Sequence, residues 1–177
     1  MTVKEAIQNE LEKLSQMDKV VFLGENIINS GRVYGLLDKV PLGKCIEMPV
    51  AENLIAGCAV GLAIRGYVPV VVFQRMDFML IAADAIINHA CLMPKMTGIN
   101  LPILFIAVKA NLNEKFYVGL QHSKDLSHVF EPYMNVIQVP ALIDNLGKDD
   151  QSITDIFTPR EQPKLLVLDK ESFNNSL

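Results

Sequence analysis

Long uncharged apolar runs are absent from this sequence of 177 residues. A helix that crosses a membrane needs roughly 18 or more apolar residues in a row, and no run reaches that length although 50% of the residues are hydrophobic. The first residues carry acidic side chains and no apolar stretch followed by a cleavage site, so they do not resemble a signal peptide. We therefore expect a cytoplasmic protein without a membrane partner, whose excess apolar surface is covered by another protein chain.

Cysteine pairs and basic clusters are absent as well. The three cysteines lie inside apolar segments without CxxC spacing, which argues against a disulfide framework or a zinc site. The net charge is −4 and the lysines and arginines are scattered, so the sequence offers no basic stripe for a nucleic acid. The glycines of the first loop also lack the GxGxxG spacing that is typical of a dinucleotide-binding site.

Short apolar runs alternate with helical patterns along the chain, which is long enough for one sheet with covering helices. This alternation predicts an α/β fold in which a doubly wound, mainly parallel sheet carries helices on both faces. Thr2 and Glu5 have the spacing of a capping box and open the first helix. Strands are predicted at residues 19–24, 45–48, 67–73, 101–108, 135–139 and 164–168. Helices are predicted at residues 3–16, 51–65, 78–93, 125–132 and 142–157, with a frayed tail at 172–177.

Glu52 is the first candidate for a functional residue. It follows a short predicted strand and opens a helix with few other ionisable groups, and a carboxylate at the rim of a core needs a proton or a ligand that hydrogen-bonds to it. A helix-start acid favoured by the helix dipole is the alternative, and position alone does not decide between the two. Gly57 and Gly61 inside this helix are destabilising relative to alanine, so we expect another element or another subunit to approach the helix closely there.

Two later segments also carry polar side chains of interest. Asp77 is placed to cap the next helix, which is apolar nearly all round and is expected to be central. Asp84 and Asn88 lie four residues apart on that helix with His89 beside them, which predicts polar contacts across a buried interface. His122 falls in a strand-to-helix loop at the carboxyl side of the sheet, where ligands gather in open α/β sheets, although a lone histidine is more often structural.

Four short motifs follow one another along the chain. They are Gly24-Glu25, Met48-Pro-Val-Ala-Glu-Asn53, Phe73-Gln-Arg-Met-Asp-Phe78 with Ala83-Asp-Ala-Ile-Ile-Asn88, and Gln121-His122-Ser123. Together they resemble the pyrimidine-binding domain of thiamine diphosphate enzymes, in the form carried by the β subunit of the decarboxylating component of 2-oxo acid dehydrogenases. The similarity covers roughly residues 17–140.

The resemblance implies a role for each of five residues. Glu52 would hydrogen-bond to N1′ of the cofactor's aminopyrimidine and favour the imino tautomer, whose exocyclic nitrogen removes the thiazolium proton. Phe78 would stack on the pyrimidine ring, and Val50 and Gln74 would line it. His122 would face the substrate as a proton donor or as an anion contact. Without its motif, Phe78 is equally well interpreted as a core aromatic residue.

The resemblance also implies what another chain has to supply. The family's β subunit continues into a carboxyl-terminal domain, whereas residues 1–177 are expected to form a single pyrimidine-binding domain without it. Because the sequence contains no Gly-Asp-Gly motif with a downstream asparagine, we predict no metal ligand in it. Thiamine diphosphate would be shared with a diphosphate-binding, α-type subunit that holds Mg²⁺, in an α2β2 heterotetramer, or the chain would form a homodimer.

Three functions follow from the resemblance. The first is the pyrimidine-side subunit of a split thiamine diphosphate-dependent enzyme that decarboxylates a 2-oxo acid and transfers the acyl group. The second is a transketolase-like ketol transfer, against which the Gln121-His122-Ser123 motif is weak evidence. The third is a non-catalytic remnant that serves assembly or regulation. The presence of Glu52, Phe78 and His122 together is evidence against a non-catalytic remnant. The divergent segment before Gln121 is evidence for one. Asn26 also departs from the family, which has aspartate at this position.

Overall fold

The computed structural model describes residues 1–29, 31–110, 119–139 and 162–176. The helices in these ranges are α1 (Val3–Ser15), α2 (Glu52–Ile64) and α3 (Met93–Thr97). The strands are β1 (Val20–Gly24), β2 (Cys45–Glu47), β3 (Val68–Phe73), β4 (Leu104–Lys109), β5 (Asn135–Gln138) and β6 (Lys164–Asp169). Turns of 3₁₀ helix lie at Leu42–Lys44, Met76–Leu80, Leu120–His122, Ser127–Val129 and Lys170–Asn174, and a π-helix spans Ala85–Leu92.

The strands form one sheet in the order β2-β1-β3-β4-β6-β5, and all of its neighbouring strands are parallel. The central strands are buried on both faces, because helices and loops cover each side, and this explains why they read as continuous apolar runs. The predicted doubly wound, mainly parallel sheet is therefore confirmed. All six predicted strands are present in the described part of the chain, with β4 beginning at Leu104 instead of residue 101.

Alternate residues of each strand feed two separate cores. In β3, Val70 and Val72 face the side that α1 covers, whereas Val71 and Phe73 face the side of α2 and the π-helix. The first helix is fixed by the predicted capping box, in which Thr2 Oγ1 accepts the N–H of Glu5 and the Glu5 carboxylate accepts the N–H of Thr2. Helices therefore lie on both faces of the sheet, as predicted.

The helix predicted at residues 78–93 is confirmed only in part, because the segment is helical over most of this range but is not one regular helix. The segment consists of the 3₁₀ turn Met76–Leu80, the π-helix Ala85–Leu92 and the start of α3, where Pro94 occupies the first turn. An apolar pattern that runs nearly all round a helix does not distinguish between the 3₁₀, α and π hydrogen-bond patterns, since all three bury some apolar side chains. The segment is also only partly central, because Leu80 and Ile81 are exposed while Ala82 and Ile86 are buried.

Two further predictions about the later part of the chain are wrong. Instead of a helix at residues 125–132, the structure has the short 3₁₀ turn Ser127–Val129, and the Asp125 side chain accepts the N–H of Ser127 at its start. The tail is not frayed over its described residues, 172–176: Phe173 is buried in the core beside α1, and Thr2 pairs with Ser176 in an antiparallel bridge. The helix predicted at residues 142–157 lies outside the described residues.

The outer face of α2 is apolar and exposed. Leu54 and Ile64 are 50% and 51% exposed. A methyl group added at Gly57 or Gly61 would meet no atom within 4 Å, so no described element of this chain makes the close approach expected there. The subunit contact expected at these glycines therefore stays a prediction. None of the helices in the described ranges is long and apolar enough to cross a membrane, and all three cysteines are free thiols.

Candidate functional site

Three glutamates lie near one another where β1 and β2 end and α2 begins. Glu25 follows the last residue of β1, Glu47 is the last residue of β2, and Glu52 is the first residue of α2. Strands β1 and β2 are parallel neighbours in which Gly24 pairs with Glu47, so these ends meet at the carboxyl edge of the sheet. Ligands of open α/β sheets bind at this edge, which makes the cluster the candidate site.

Glu52 is buried, with 5% of its surface exposed. Ala51 precedes the helix and provides no side-chain cap. The Glu52 carboxylate lies in the first turn, where the helix dipole favours a negative charge. Its oxygens have no hydrogen-bond or ion-pair partner among the described residues. A carboxylate that is buried without a protein partner is the arrangement that we expect of a group reserved for a ligand.

Glu25 is a buried carboxyl group that the residue pattern alone does not reveal, although Gly24-Glu25 is one of the family motifs. Burial raises the pKa of Glu25, and the nearby carboxylates of Glu52 and Glu47 raise it further. Only 7% of its surface is exposed. The site therefore holds a glutamate whose protonated form is favoured next to the unpaired Glu52.

Glu47 organises the loop after β1. Its carboxylate accepts the backbone N–H groups of Asn26, Ile27 and Ile28, at 2.6, 3.0 and 2.8 Å. Asn26 has a φ of 55°, a left-handed conformation that asparagine tolerates better than most residues and that turns successive N–H groups toward one acceptor. The sequence gives no sign of this role, because it depends on the pairing of β1 with β2.

Val50, between Glu47 and Glu52 in sequence, and Gln74, after β3, differ in how they are held. Gln74 follows β3, and its side-chain amide donates to the backbone carbonyl of Glu25 at 3.3 Å. Val50 precedes α2 and is 77% exposed. Gln74 is therefore fixed against the loop after β1, whereas Val50 presents an apolar side chain to the space outside the chain.

His122, Phe78 and Asp77 form a second group. Nδ1 of His122 lies 2.8 Å from Oδ2 of Asp77. The His122 and Phe78 rings meet edge to face, with centroids 5.7 Å apart and an interplanar angle of 82°. The prediction that Asp77 caps a helix is wrong, because Asp77 lies inside the 3₁₀ turn Met76–Leu80, which has no side-chain cap, and its carboxylate instead binds the histidine. The structure thus brings together two predicted site residues, Phe78 and His122, through a third that was expected to be structural.

The segment that carries His122 is tied to the sheet by Asp125. Its carboxylate accepts from Lys109 at the end of β4 at 3.3 Å, from Gln138 at the end of β5 at 3.2 Å and from the backbone of Ser127 at 3.0 Å. Burial alone would raise the pKa of Asp125, but the hydrogen bonds from Ser127 and the Lys109 ammonium outweigh it and hold that pKa below its usual value. This anchor places the His122 segment at the carboxyl ends of β4 and β5.

Asp84, Asn88 and His89 lie together, as predicted, with Asp84 directly before the π-helix and Asn88 and His89 on it. Asn88 donates to Asp84 at 2.8 Å, and His89 lies 3.5 Å from the same carboxylate. All three are exposed in this chain, so the buried interface expected around them is absent from the described residues. These residues belong to the outer surface and are separate from the group formed by Asp77, Phe78 and His122.

Comparison with known families identifies one match. Residues 1–111 match the family described as the transketolase pyrimidine binding domain. This range includes Glu25, Glu47, Glu52, Gln74 and Phe78, and it ends before His122.

Among curated proteins, the chain is similar to β subunits of pyruvate dehydrogenase E1. It is 32% identical over 132 residues to the mitochondrial subunit of Saccharomyces cerevisiae, and this match covers 72% of this chain and 36% of that protein. It is 30% identical over 156 residues to the subunit of Rickettsia bellii, and this match covers 83% of this chain and 47% of that protein. The chain thus spans less than half of the length of these relatives.

Among solved structures, the chain is similar to one described as a split gene transketolase, an inactive β4 tetramer. The TM-score is 0.65, the sequence identity is 18%, and the match covers 96% of this chain and 52% of the other. At that identity, the similarity establishes the shared fold.

Proposed function

Because the chain belongs to the transketolase pyrimidine-binding domain family, we propose that it is the pyrimidine-side subunit of a split thiamine diphosphate-dependent enzyme that acts on a 2-oxo acid. The reaction proposed is decarboxylation followed by acyl transfer. The similarity to β subunits of pyruvate dehydrogenase E1 supports a 2-oxo acid as the substrate class. A separate diphosphate-binding chain completes the active site in this proposal.

The observation that carries this proposal is the unpaired carboxylate of Glu52. An aminopyrimidine presents ring nitrogens and an exocyclic amine, and a carboxyl group that exchanges a proton with a ring nitrogen controls which tautomer the pyrimidine adopts. Glu52 is buried at the carboxyl edge of the sheet without another described partner, so its hydrogen-bonding capacity is available to such a ring. The residues present therefore fit the pyrimidine half of the cofactor.

The neighbouring side chains fit the same ligand. Phe78 is half-buried beside the α2 core, so one part of its ring packs on the protein and another is accessible for stacking. Gln74, held by the Glu25 backbone carbonyl, would give the pyrimidine site a polar lining, and the exposed Val50 would give it an apolar one. His122 stands next to Phe78 and is proposed to meet the substrate. When bound, thiamine diphosphate supplies the carbon nucleophile that attacks the keto group.

We place the diphosphate and Mg²⁺ on the partner chain. Mg²⁺ bound to a diphosphate needs additional oxygen ligands with near-octahedral geometry, and the printed sequence has no Gly-Asp-Gly motif followed by asparagine. Among the described residues, no three His, Cys, Asp or Glu side chains converge in a way that could hold a metal ion. The exposed apolar face of α2, with Leu54 and Ile64, is the proposed contact surface for the assembly, as a homodimer or as an α2β2 heterotetramer.

The test is reconstitution with a chain from the same genome that carries Gly-Asp-Gly followed by asparagine. The two chains are mixed with thiamine diphosphate and Mg²⁺, and the reduction of an artificial electron acceptor is followed with pyruvate or a branched 2-oxo acid. Turnover that requires both chains and is lost in Glu52→Gln supports the proposal. Turnover only with a ketose phosphate and an aldose acceptor points to ketol transfer, and no turnover despite a stable complex points to a non-catalytic assembly role.

A further inference from the structure

We propose that Asp77 is a positioning residue for His122. Its carboxylate holds the imidazole in the Nδ1–H tautomer and leaves Nε2 unprotonated and free to act on a ligand. The value of this arrangement to catalysis rests on the proposed function, since a bound 2-oxo acid is what Nε2 would meet. The tautomer itself does not rest on it, because it follows from the contacts within this chain.

The contact between the two side chains specifies the tautomer. Oδ2 of Asp77 lies 2.8 Å from Nδ1 of His122, a distance typical of a charge-assisted hydrogen bond. An ionised carboxylate can only accept, so Nδ1 must carry the proton. The two side chains are 18% and 29% exposed, which limits the competition of water for this bond. Fixing one ring nitrogen in this way determines the state of the other, as it does in the histidines of metal sites.

A second contact fixes the plane of the imidazole. The ring of Phe78 meets it at 82°, with 5.7 Å between the centroids, in the edge-to-face arrangement that aromatic rings prefer. Asp77 and Phe78 are consecutive residues of one 3₁₀ turn, Met76–Leu80, which packs against the turn that carries His122. One rigid turn therefore supplies both the hydrogen bond and the ring contact, and together they restrict rotation about both side-chain bonds of the histidine.

The remaining side of the imidazole is left open. Nε2 of His122 has no hydrogen-bond partner in the described ranges. In the Nδ1–H tautomer this nitrogen carries a lone pair, so it accepts a hydrogen bond or takes up a proton, and once protonated it donates to an oxyanion. The orientation given by Asp77 thus points the reactive nitrogen away from the protein contacts.

Among the described residues, no capping or packing contact gives Asp77 a structural task that would explain a carboxylate at this position. It caps no helix, and its second oxygen, Oδ1, is buried without a hydrogen-bond partner in the described part of the chain. A buried acceptor without a partner lowers stability, so an uncharged residue of the same shape would serve the fold better. A carboxylate at a position where it lowers stability is expected when the group has another role, which here is its effect on His122.

The tautomer can be measured directly in the full chain by NMR with ¹⁵N-labelled histidine. The sequence has three histidines, and His122→Gln identifies the signals of His122. Spectra are recorded above pH 8, where an ordinary imidazole, with a pKa of about 6.5, is neutral. We expect the Nδ1–H form of His122 to exceed the Nε2–H form by about tenfold or more, given the strength of hydrogen bonds to charged groups.

Two variants of Asp77 and one control test the cause. Asp77→Leu removes the acceptor and should abolish the tenfold excess, while the free energy of unfolding stays equal or rises because an unpaired buried oxygen is lost. Asp77→Asn is nearly isosteric and can either accept from Nδ1–H or donate to a bare Nδ1, so a mixture of tautomers is expected. The control is Asp84→Leu, since Asp84 pairs with His89 on the exposed surface at 3.5 Å and should not affect His122.

The outcomes separate the positioning role from the proposed function. An unmodified chain with His122 mainly in the Nε2–H form, or an excess of Nδ1–H that survives in both Asp77 variants, overturns the positioning role. If the reconstituted enzyme is active, Asp77→Leu should lower kcat about 10- to 100-fold with little change in KM, the range for a misplaced acid–base group. If the tautomer responds to Asp77 but no complex acts on a 2-oxo acid, the positioning role stands and the proposed function fails.

Discussion

The carboxylate of Glu47 accepts the backbone N–H of Ile28 at 2.8 Å, so the end of β2 is joined to a loop that starts at the end of β1. The same carboxylate receives two further N–H groups from that loop, those of Asn26 and Ile27. A single side chain therefore satisfies three backbone donors that have no strand partner. Glu25 lies directly before this loop, which makes Glu47 a determinant of the site although it is only half-buried.

We expect Glu47→Ala to destabilise the fold by about 2–4 kcal/mol, because hydrogen bonds to charged groups contribute about 1.5–3 kcal/mol and the three N–H groups would lose their acceptor. Glu47→Gln should cost less, since its carbonyl oxygen still accepts from part of the loop. Urea unfolding measures both. Glu12→Ala on the exposed side of α1 is the control and should change the free energy of unfolding by less than about 0.5 kcal/mol. A Glu47→Ala variant as stable as that control would contradict the role.

We expect Glu52→Gln to separate stability from activity. The amide keeps the shape of the side chain but cannot exchange a proton with a pyrimidine, so turnover of the reconstituted enzyme should fall about 100-fold or more. Folding should be unaffected or improved, because the variant removes a buried carboxylate without a described partner. Asn53→Ala, at the exposed neighbouring position, is the control for changes near the start of α2. Activity within a few-fold of the unmodified enzyme would show that Glu52 is not the catalytic glutamate.

Glu25 should make the stability of the fold depend on pH. Because burial and the nearby carboxylates raise its pKa in the folded chain, ionisation costs more in the folded than in the unfolded state. Its contribution is therefore fully present below the ordinary glutamate value near 4.5 and is lost as the pH rises through the raised value.

Glu25→Gln removes this dependence. The difference in free energy of unfolding between Glu25→Gln and the unmodified chain should increase in favour of the variant as the pH rises from about 4 to 8. Urea unfolding across this range measures the difference, with Glu12→Gln as the exposed control. A difference that does not vary with pH would mean that Glu25 ionises in the folded chain as easily as in the unfolded chain.

Gly57 offers a test of the assembly surface. In the isolated chain Gly57→Ala should stabilise α2 by up to about 1 kcal/mol, since the added methyl group meets no atom within 4 Å and alanine favours the helix. If another subunit packs closely against this face, the same methyl group should weaken association about tenfold or more. Sedimentation and thermal unfolding distinguish the two effects. A more stable variant that assembles as well as the unmodified chain would contradict a subunit contact at this position.

The isolated chain should bind thiamine diphosphate weakly. Stacking on Phe78 contributes about 0.5–1.5 kcal/mol beyond area burial, and each hydrogen bond to the pyrimidine contributes about 1 kcal/mol. Micromolar affinity needs about 8 kcal/mol, so the dissociation constant should be above the micromolar range until a partner chain supplies contacts to the diphosphate. Calorimetry with Mg²⁺ present measures it. Tight binding by the chain alone would disprove the half-site.

The sheet is predictable from the sequence, whereas the short segments beside it are not. Strands such as β3 are buried on both faces, so uninterrupted apolar runs mark them without ambiguity. The segment after β3 is apolar too, but its division into 3₁₀, π and α pieces depends on packing that the pattern does not record. The order of the tail has a similar cause, since it depends on the packing of Phe173 into the core beside α1, which residues distant in sequence complete.

The site is predictable only in part. The buried position of Glu52 follows from its place between a strand and an apolar helix, and its role remains a prediction of the family resemblance. The roles of Glu47 and Asp77, unlike the burial of Glu52, are not predictable, because their partners are distant in sequence. Asp77 contacts a residue 45 positions later, and Glu47 binds a loop about 20 positions earlier. Polar side chains whose purpose depends on such long-range contacts carry no local signal.

The antiparallel bridge between Thr2 and Ser176 brings the two ends of the described chain side by side. Polypeptide attached before Thr2 would therefore emerge beside polypeptide attached after Ser176, on the α1 side of the sheet and away from α2. A short linker could join the two ends and allow new termini to be opened elsewhere, as in a circular permutant. Fusion partners or affinity tags at either end would accordingly lie on the opposite side of the sheet from the proposed subunit contact.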